Sequence, residues 1–167
     1  MGAHEERMSN PGDLSIRRFR EPDLGQLVRL ISETIEISYR DVYPPRAVQF
    51  FKDFHSATKI ADRSKMGTTL VVEEDGELVT TGSLVDGEIL AVFVHPRLQH
   101  GGRGKAIMKA LENEARASGL MEIALSISLP SKRFYESLGY RVVEERSRDV
   151  GDGQRLDFWK AVKQLPG

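Results

Sequence analysis

The chain has 167 residues, a length typical of one domain. Its 24 basic and 25 acidic side chains give a formal net charge of −1, which argues against a domain whose main task is to coat nucleic acid. It has no cysteine, which excludes disulfides and cysteine nucleophiles, and no apolar run approaches the roughly 20 residues that span a bilayer. We therefore expect a cytoplasmic protein with no nucleic-acid or membrane partner.

The N-terminal residues show no secretory signal, because MGAHEERMSN lacks an apolar segment. Residues 1–12 are interpreted as a disordered N-terminal segment or a remnant of cloning. Residues 13–164 are interpreted as a single domain, since no linker, repeat or low-complexity stretch interrupts them.

The first half of this domain predicts one strand, two helices and then three strands in meander order. The strand covers residues 14–19, and a helix with apolar residues at helical spacing follows Pro22. A second helix is predicted over residues 46–61. Its buried side is formed by Val48, Phe51, Phe54 and Ile60. The three strands cover residues 68–73, 78–85 and 88–95. The last of these reads EILAVFVH, an apolar run that indicates a central strand buried on both faces.

The second half predicts a helix over residues 102–118, with Ile107, Leu111 and Ala115 facing inward and Glu112 facing outward. A buried strand over residues 121–127 follows. Strand, helix and strand form a crossover, so the strands on either side of this helix should run parallel. A short helix over residues 131–138 and a hairpin of strands 140–145 and 156–160 complete a mixed α/β domain.

The segment from Gln99 to Lys105 carries the strongest functional signal, because its three glycines lie between a buried strand and the start of a helix. Free backbone N–H groups and the helix dipole at such a turn suit a phosphate or pyrophosphate. The alternative is a tight turn with no ligand. Two nucleotide motifs fail: a P-loop needs Ser or Thr where Ala106 stands, and a dinucleotide fingerprint needs Gly where Ile107 stands.

This segment resembles the pyrophosphate motif of the GNAT superfamily of acyl-CoA-dependent N-acyltransferases, Q/R-x-x-G-x-G/A, which here reads Gln99 to Gly104 and follows a strand ending in Val94-His95-Pro96. A second segment, from Phe134 to Tyr140, is similar to the family's F-Y-x-x-x-G-F/Y sequence. The resemblance implies a GNAT-like α/β fold. Its mixed, mostly antiparallel sheet of six to seven strands would be splayed between strands 4 and 5 and flanked by about four helices.

The resemblance implies acetyl-CoA as a cosubstrate, no metal, and an amine acceptor that the sequence does not identify. Two serines stand where many members carry Asn and Ala, and we expect them still to contact the pantetheine arm. The implied cofactor-binding residues are Phe93, Val94, Gln99, His100, Gly101, Gly102, Arg103, Gly104, Lys105, Ser128, Ser131 and Phe134. Of these, Val94 is expected to place a backbone N–H near the thioester carbonyl.

Two catalytic residues follow from the same resemblance. Tyr135 is the candidate acid for the CoA sulfur, against the alternative of a core tyrosine. Glu88 is the candidate base for the amine, activated by burial, against an exposed carboxylate at a hairpin. His95 is a rival base, against a structural histidine, and bulk water can also take the proton.

The acceptor is expected to lie among the first two helices, where the aromatic residues Tyr39, Tyr43, Phe50, Phe51 and Phe54 and the acid Glu36 are candidates for amine recognition, against a purely structural role. The predicted function is N-acetyl transfer to a primary amine in a ternary complex. The alternative is an acyl-CoA-binding sensor or structural module with little turnover. Many members dimerise, so the resemblance also allows a homodimer.

Overall fold

The computed structural model of the protein describes residues 15–166; the expectations for residues 1–12 and Leu14 lie outside this range. Seven strands form the sheet: β1 (Ile16–Arg18), β2 (Thr68–Glu74), β3 (Glu77–Val85), β4 (Glu88–Val94), β5 (Glu122–Ser128), β6 (Arg141–Gly151) and β7 (Gln154–Gln164). Five α-helices accompany it: α1 (Leu24–Tyr39), α2 (Pro45–Phe54), α3 (Ala57–Met66), α4 (Arg103–Ala117) and α5 (Lys132–Ser137). Within residues 15–166, no helix is long and apolar enough to cross a membrane.

The sheet has the strand order β1-β2-β3-β4-β5-β7-β6. All neighbouring strands are antiparallel except β4 and β5, which run parallel because α4 carries the chain across between them. These two strands pair only at Glu88 with Ala124 and at Ile89 with Leu125, and beyond Ile89 they separate. The predicted fold and its splay between strands 4 and 5 are therefore confirmed.

A β-bulge lies in β4 immediately beyond the point where pairing with β5 stops. Thr81 pairs with Phe93 and Ser83 pairs with Leu90, so Gly82 of β3 faces two residues of β4. One of those two, Ala91, has a φ of 59°, which non-glycine residues seldom adopt. The bulge bends β4 at the mouth of the split.

The helix predicted over residues 46–61 is two helices, which raises the number of helices from about four to five. The first helix ends before His55, and the second begins after Ser56, whose side-chain oxygen accepts a hydrogen bond from the Lys59 amide at 3.3 Å. Serine is a strong N-cap residue, and here it starts α3 inside an otherwise helical pattern. The break also leaves Phe54 42% exposed, so the expectation that this side chain is buried was wrong.

Two apolar cores cover the two faces of the sheet. One packs α4 and α5 against the sheet around Ile107, Leu111 and Ile123, and the other packs α1 to α3 around Ile31, Ile35 and Val71. The outward prediction for Glu112 was wrong. Its buried carboxylate accepts hydrogen bonds from Tyr140 Oη at 2.7 Å and Lys163 Nζ at 3.1 Å.

The apolar run of β4 does not mean burial on both faces. Ile89 and Phe93 are buried, whereas Leu90, Ala91 and Val92 stay partly exposed because they line the split beside β5. The apolar residues of this strand therefore form the wall of a cleft as well as part of the core.

Candidate active site

The glycine turn leaves its backbone amides free. Gly102 has a φ of 87° and precedes the first residue of α4, with no side chain capping the helix. The first helical bond runs from the Ala106 amide to the Gly102 carbonyl at 3.0 Å. Within residues 15–166, no acceptor contacts the amides of Arg103, Gly104 and Lys105 that come before it. The turn therefore presents several unpaired donors at the positive end of a 15-residue helix.

The side chains of the turn are less free than the sequence suggested. Arg103, one of the expected cofactor-binding residues, donates to both carboxylate oxygens of Glu74 at 2.6 and 2.9 Å. Gln99 Nε2 donates to the carbonyl of Val94 at 3.2 Å, which ties the turn to the end of β4. His100, Gly101, Gly102 and Lys105 are exposed. Most of the charge at the turn thus comes from backbone amides and Lys105.

Gly104 is the residue at which the glycine turn contacts the segment from Phe134 to Tyr140. A Cβ atom at this position would lie 3.1 Å from Cζ of Phe134 and 3.4 Å from Cγ2 of Val94. The glycine is explained by the close approach of α4, α5 and β4, whichever ligand binds nearby. Phe134 in turn packs on the ring of Tyr135, with ring centroids 5.0 Å apart.

The end of β4 presents one backbone amide to the split. The His95 amide donates to the Val79 carbonyl of β3 at 2.8 Å. Because successive residues of a strand point their N–H groups to opposite sides, the Val94 amide faces away from β3 and toward the separated β5. Phe93 is buried, and its ring meets that of His55 with centroids 5.2 Å apart.

A cavity of about 630 Å³ occupies the split and continues under α2 and the β6–β7 hairpin. Aromatic side chains form much of its wall, and charged side chains lie around its opening. Its lining includes Tyr39, Phe50, Phe51, Asp53, Phe54, His55, Lys59, Glu88, Phe93, Ser128, Ser131, Tyr135, Arg146, Arg148, Leu156, Phe158 and Lys160.

Tyr135 lines this cavity and is only 8% exposed. Burial, with a smaller contribution from the nearby Tyr39, raises the pKa of the Tyr135 phenol above its ordinary value, so the phenol keeps its proton at neutral pH. Its hydroxyl makes no hydrogen bond to the part of the chain that the structure describes. A protonated donor without a partner therefore faces the split.

The two predicted serines are tied to each other. Tyr39 Oη donates to Ser128 Oγ at 3.0 Å, and Ser128 Oγ and Ser131 Oγ are 2.9 Å apart. This chain of hydroxyls lies at the C-terminal end of β5, on the wall of the cavity. A ligand that hydrogen-bonds Ser128 would have to share or replace the Tyr39 bond.

Only one of the two candidate bases lines the cavity. Glu88 is 42% exposed, so the expected burial of its carboxylate is not observed, and Oε2 lies 3.6 Å from Lys160 Nζ. His95 instead accepts the Arg97 amide at Nδ1 over 3.2 Å and so caps a 3-10 turn. The structural interpretation of His95 fits this geometry better than the catalytic one.

His55 is a cavity residue that the sequence did not suggest. It is only 7% exposed, and no group within residues 15–166 hydrogen-bonds its buried Nδ1. Burial, helped by the charge of Arg63, lowers the pKa of His55 to about 3, which keeps the ring neutral. Its sequence context, the last residue before the Ser56 cap, is a signal for a helix break and carries no functional information.

The expected acceptor residues divide into two groups. Tyr39, Phe50, Phe51 and Phe54 line the cavity. Tyr43 does not; its hydroxyl donates to the Asp157 carbonyl at 2.8 Å and accepts the Leu129 amide at 2.9 Å. Glu36 pairs with Lys52 outside the cavity.

Comparison with known proteins agrees with this geometry. The family model for the Acetyltransferase (GNAT) domain matches residues 39–153, which is more than half of the chain. A GCN5-related N-acetyltransferase structure from Rhodopseudomonas palustris is similar, with a TM-score of 0.83, 22% identity and coverage of 91% of this chain and 96% of that one. The PaiA N-acetyltransferase of Thermoplasma acidophilum, solved with coenzyme A, is similar with a TM-score of 0.73, 19% identity and coverage of 91% and 99%.

Curated relatives match a shorter stretch. An amino-acid acetyltransferase of Pseudomonas syringae pv. syringae is 36% identical over 56 residues, which is 30% of this chain and only 13% of that protein. The chain thus matches a small part of that relative's length, whereas the family model covers most of the fold described above, including the glycine turn. The protein belongs to the GNAT family of acetyltransferases.

Proposed function

We propose that the protein transfers the acetyl group of acetyl-CoA to a primary amine by direct attack in a ternary complex. Three neighbouring features support this proposal. Unpaired amides lie at the start of α4, the split between β4 and β5 lies next to them, and a cavity lined by Tyr135 follows the split. The PaiA structure with coenzyme A supports the choice of cosubstrate.

The chain can hold the cosubstrate mostly through its backbone. The amides of Gly102 to Lys105 would bind the pyrophosphate. The glycine at 102 keeps that approach open, since no atom of a described residue beyond its two chain neighbours lies within 4 Å of where a Cβ would stand. The edge of β4 would pair with the pantetheine arm as a missing strand would. Phe93, Ser128, Ser131 and Phe134 form the sides of that path.

Each catalytic step is assigned to a group in the cavity or at the adjoining end of β4. Acetyl-CoA supplies an activated thioester; the amine nitrogen forms a bond to its carbonyl carbon, and the C–S bond breaks. The Val94 amide donates to the carbonyl oxygen as negative charge develops there. Tyr135 donates a hydrogen bond or its proton to the departing sulfur, and Glu88 or water takes the proton lost by the amine.

An acyl-CoA-binding sensor would need the glycine turn but no proton donor in the cavity, so the unpartnered Tyr135 favours the enzyme. Two measurements separate the possibilities. Acetyl-CoA at 100 times its Kd should stabilise the protein by about 2.7 kcal/mol, which raises Tm. Thiol release should then appear with a panel of primary amines. A Tm shift without thiol release would indicate the sensor, and the absence of both would refute the proposal.

A further inference from the structure

The opening of the cavity carries more positive than negative side chains, although the whole chain has a formal net charge of −1. Four cations line the cavity, namely Lys59, Arg146, Arg148 and Lys160, against two carboxylates, Asp53 and Glu88. One cation and one carboxylate, Lys160 and Glu88, lie close to each other. An excess of positive charge therefore remains around the opening.

Two of these cations project from one strand face. Arg146 and Arg148 are two residues apart on β6, so their side chains leave the same side of the sheet. They stand opposite Phe158 and Leu156 of β7, which also line the cavity. Two cations on the same face of a strand favour an anion bound beside them, because like charges there are otherwise unfavourable.

Their existing partners leave hydrogen-bonding capacity free. Among residues 15–166, Arg146 bonds only Glu144, at 3.0 Å; both side chains are about half exposed, so this pair is weak. The Arg148 guanidinium lies over the Phe50 ring, 4.9 Å from its centroid, and pairs with no carboxylate within residues 15–166. Stacking fixes the plane of a guanidinium while its N–H edge stays available to a carboxylate or phosphate.

These cations are separate from the predicted pyrophosphate site, because none of residues 99–105 lines the cavity. We propose that the acceptor is a primary amine that also carries a carboxylate or phosphate group, held by Arg146 and Arg148, with its amino group directed toward Tyr135 and Phe93. The inference rests on the proposed function and narrows it to one class of acceptor. Carboxylate and phosphate share the same recognition chemistry here, so the experiment separates them.

The test uses matched acceptors with and without the anion: glucosamine 6-phosphate against glucosamine, and alanine against alaninamide. We expect kcat/KM to be at least about tenfold higher for the anionic member of one pair, which is the value of one charged hydrogen bond. The phosphate pair and the carboxylate pair then identify which anion is preferred. Arg148→Gln should reduce the ratio of anionic to neutral kcat/KM about tenfold, mainly through KM.

Arg155→Gln is the matched control. Arg155 lies on the same hairpin but bonds Ser147 and does not line the cavity, so its replacement should leave the ratio unchanged. Equal rates within both pairs, or an unchanged ratio in Arg148→Gln, would overturn the inference while acetyl transfer stands. If no amine is acetylated, the proposed function fails. Calorimetry on the CoA-loaded protein then decides the inference: tighter binding of an anionic member supports it, and equal binding overturns it.

Discussion

The glycine turn and the acceptor cavity are built in opposite ways. The turn is a contiguous segment in which most of the binding capacity comes from backbone amides, and its partly buried charge, Arg103, is neutralised by Glu74. The cavity is assembled from α1, α2, α3, β4, β5, α5 and the β6–β7 hairpin, and its chemistry comes from side chains. Binding at the first region depends little on which side chains are present, whereas binding at the second changes with each side chain that lines it.

This difference explains where substitutions should act. Changes in the turn alter the backbone path and should affect the affinity for the cosubstrate. Changes in the cavity remove single side-chain groups and should affect turnover or the choice of acceptor.

Gly102→Val should weaken acetyl-CoA binding roughly 100-fold or more, which corresponds to about 3 kcal/mol. A side chain at φ 87° strains the backbone and occupies the open approach to the amides. Gly119→Val is the matched control, because Gly119 has a φ of 85° in equally open space at the other end of α4, about 25 Å away along the helix. Both variants should lose stability, but only Gly102→Val should lose the Tm shift with acetyl-CoA. Equal Tm shifts with acetyl-CoA in both variants would contradict binding of the cosubstrate at the glycine turn.

Tyr135→Phe should lower kcat for thiol release roughly 10- to 100-fold, near the lower end for a general acid because a thiolate leaves readily. The unfolding free energy of the ligand-free protein should hardly change, since the Tyr135 hydroxyl has no partner within residues 15–166. Tyr140→Phe should do the reverse. It removes the bond to buried Glu112, so it should cost about 1 to 3 kcal/mol of stability and leave kcat intact. Unchanged thiol release in Tyr135→Phe would contradict the proposal that Tyr135 is the acid for the CoA sulfur.

Lowering the pH should reduce the unfolding free energy of the protein because of His55. Its pKa is about 3 in the folded protein and about 6.5 when unfolded, so below pH 6.5 the unfolded state binds a proton that the folded state does not. The stabilisation is present above pH 6.5 and is lost as pH falls toward 3, amounting to about 2 kcal/mol between pH 7 and 5. His55→Gln should flatten this part of the curve of unfolding free energy against pH. Parallel curves for wild type and His55→Gln would contradict the burial of the neutral ring.

Glu88→Gln should have the smallest effect, a fall in kcat of less than about tenfold, because the carboxylate is partly exposed, close to Lys160, and replaceable by water as a base. Glu145→Gln, an exposed residue of β6 outside the cavity, is the control for loss of one negative charge. A loss of more than about 100-fold in Glu88→Gln alone would show instead that Glu88 is the committed base.

The sequence predicted the features that depend on local pattern. The parallel β4–β5 pair followed from a strand-helix-strand order, and the position of the turn followed from three glycines before an amphipathic helix. The family motif then predicted the split. These inferences succeeded because each depends on neighbouring residues or on their order along the chain.

The sequence failed where distant residues decide the outcome. Glu112 has the spacing of a surface residue, but Tyr140 and Lys163 bury and satisfy its charge. The hairpin strands extend over Arg141–Gly151 and Gln154–Gln164, well beyond the predicted bounds. The prediction was too short because the exposed polar residues of these strands carry no apolar period. His55 and Arg148 reached the cavity only through packing of α2 against the hairpin, which no single segment encodes.

A crystal structure of the protein with coenzyme A would show directly where the cosubstrate binds. We expect pyrophosphate oxygens within about 3 Å of the amides of Gly102 to Lys105, and the pantetheine arm along Val94 in the split. Coenzyme A bound at another surface, or β4 and β5 paired along their full length with the ligand outside, would contradict this expectation.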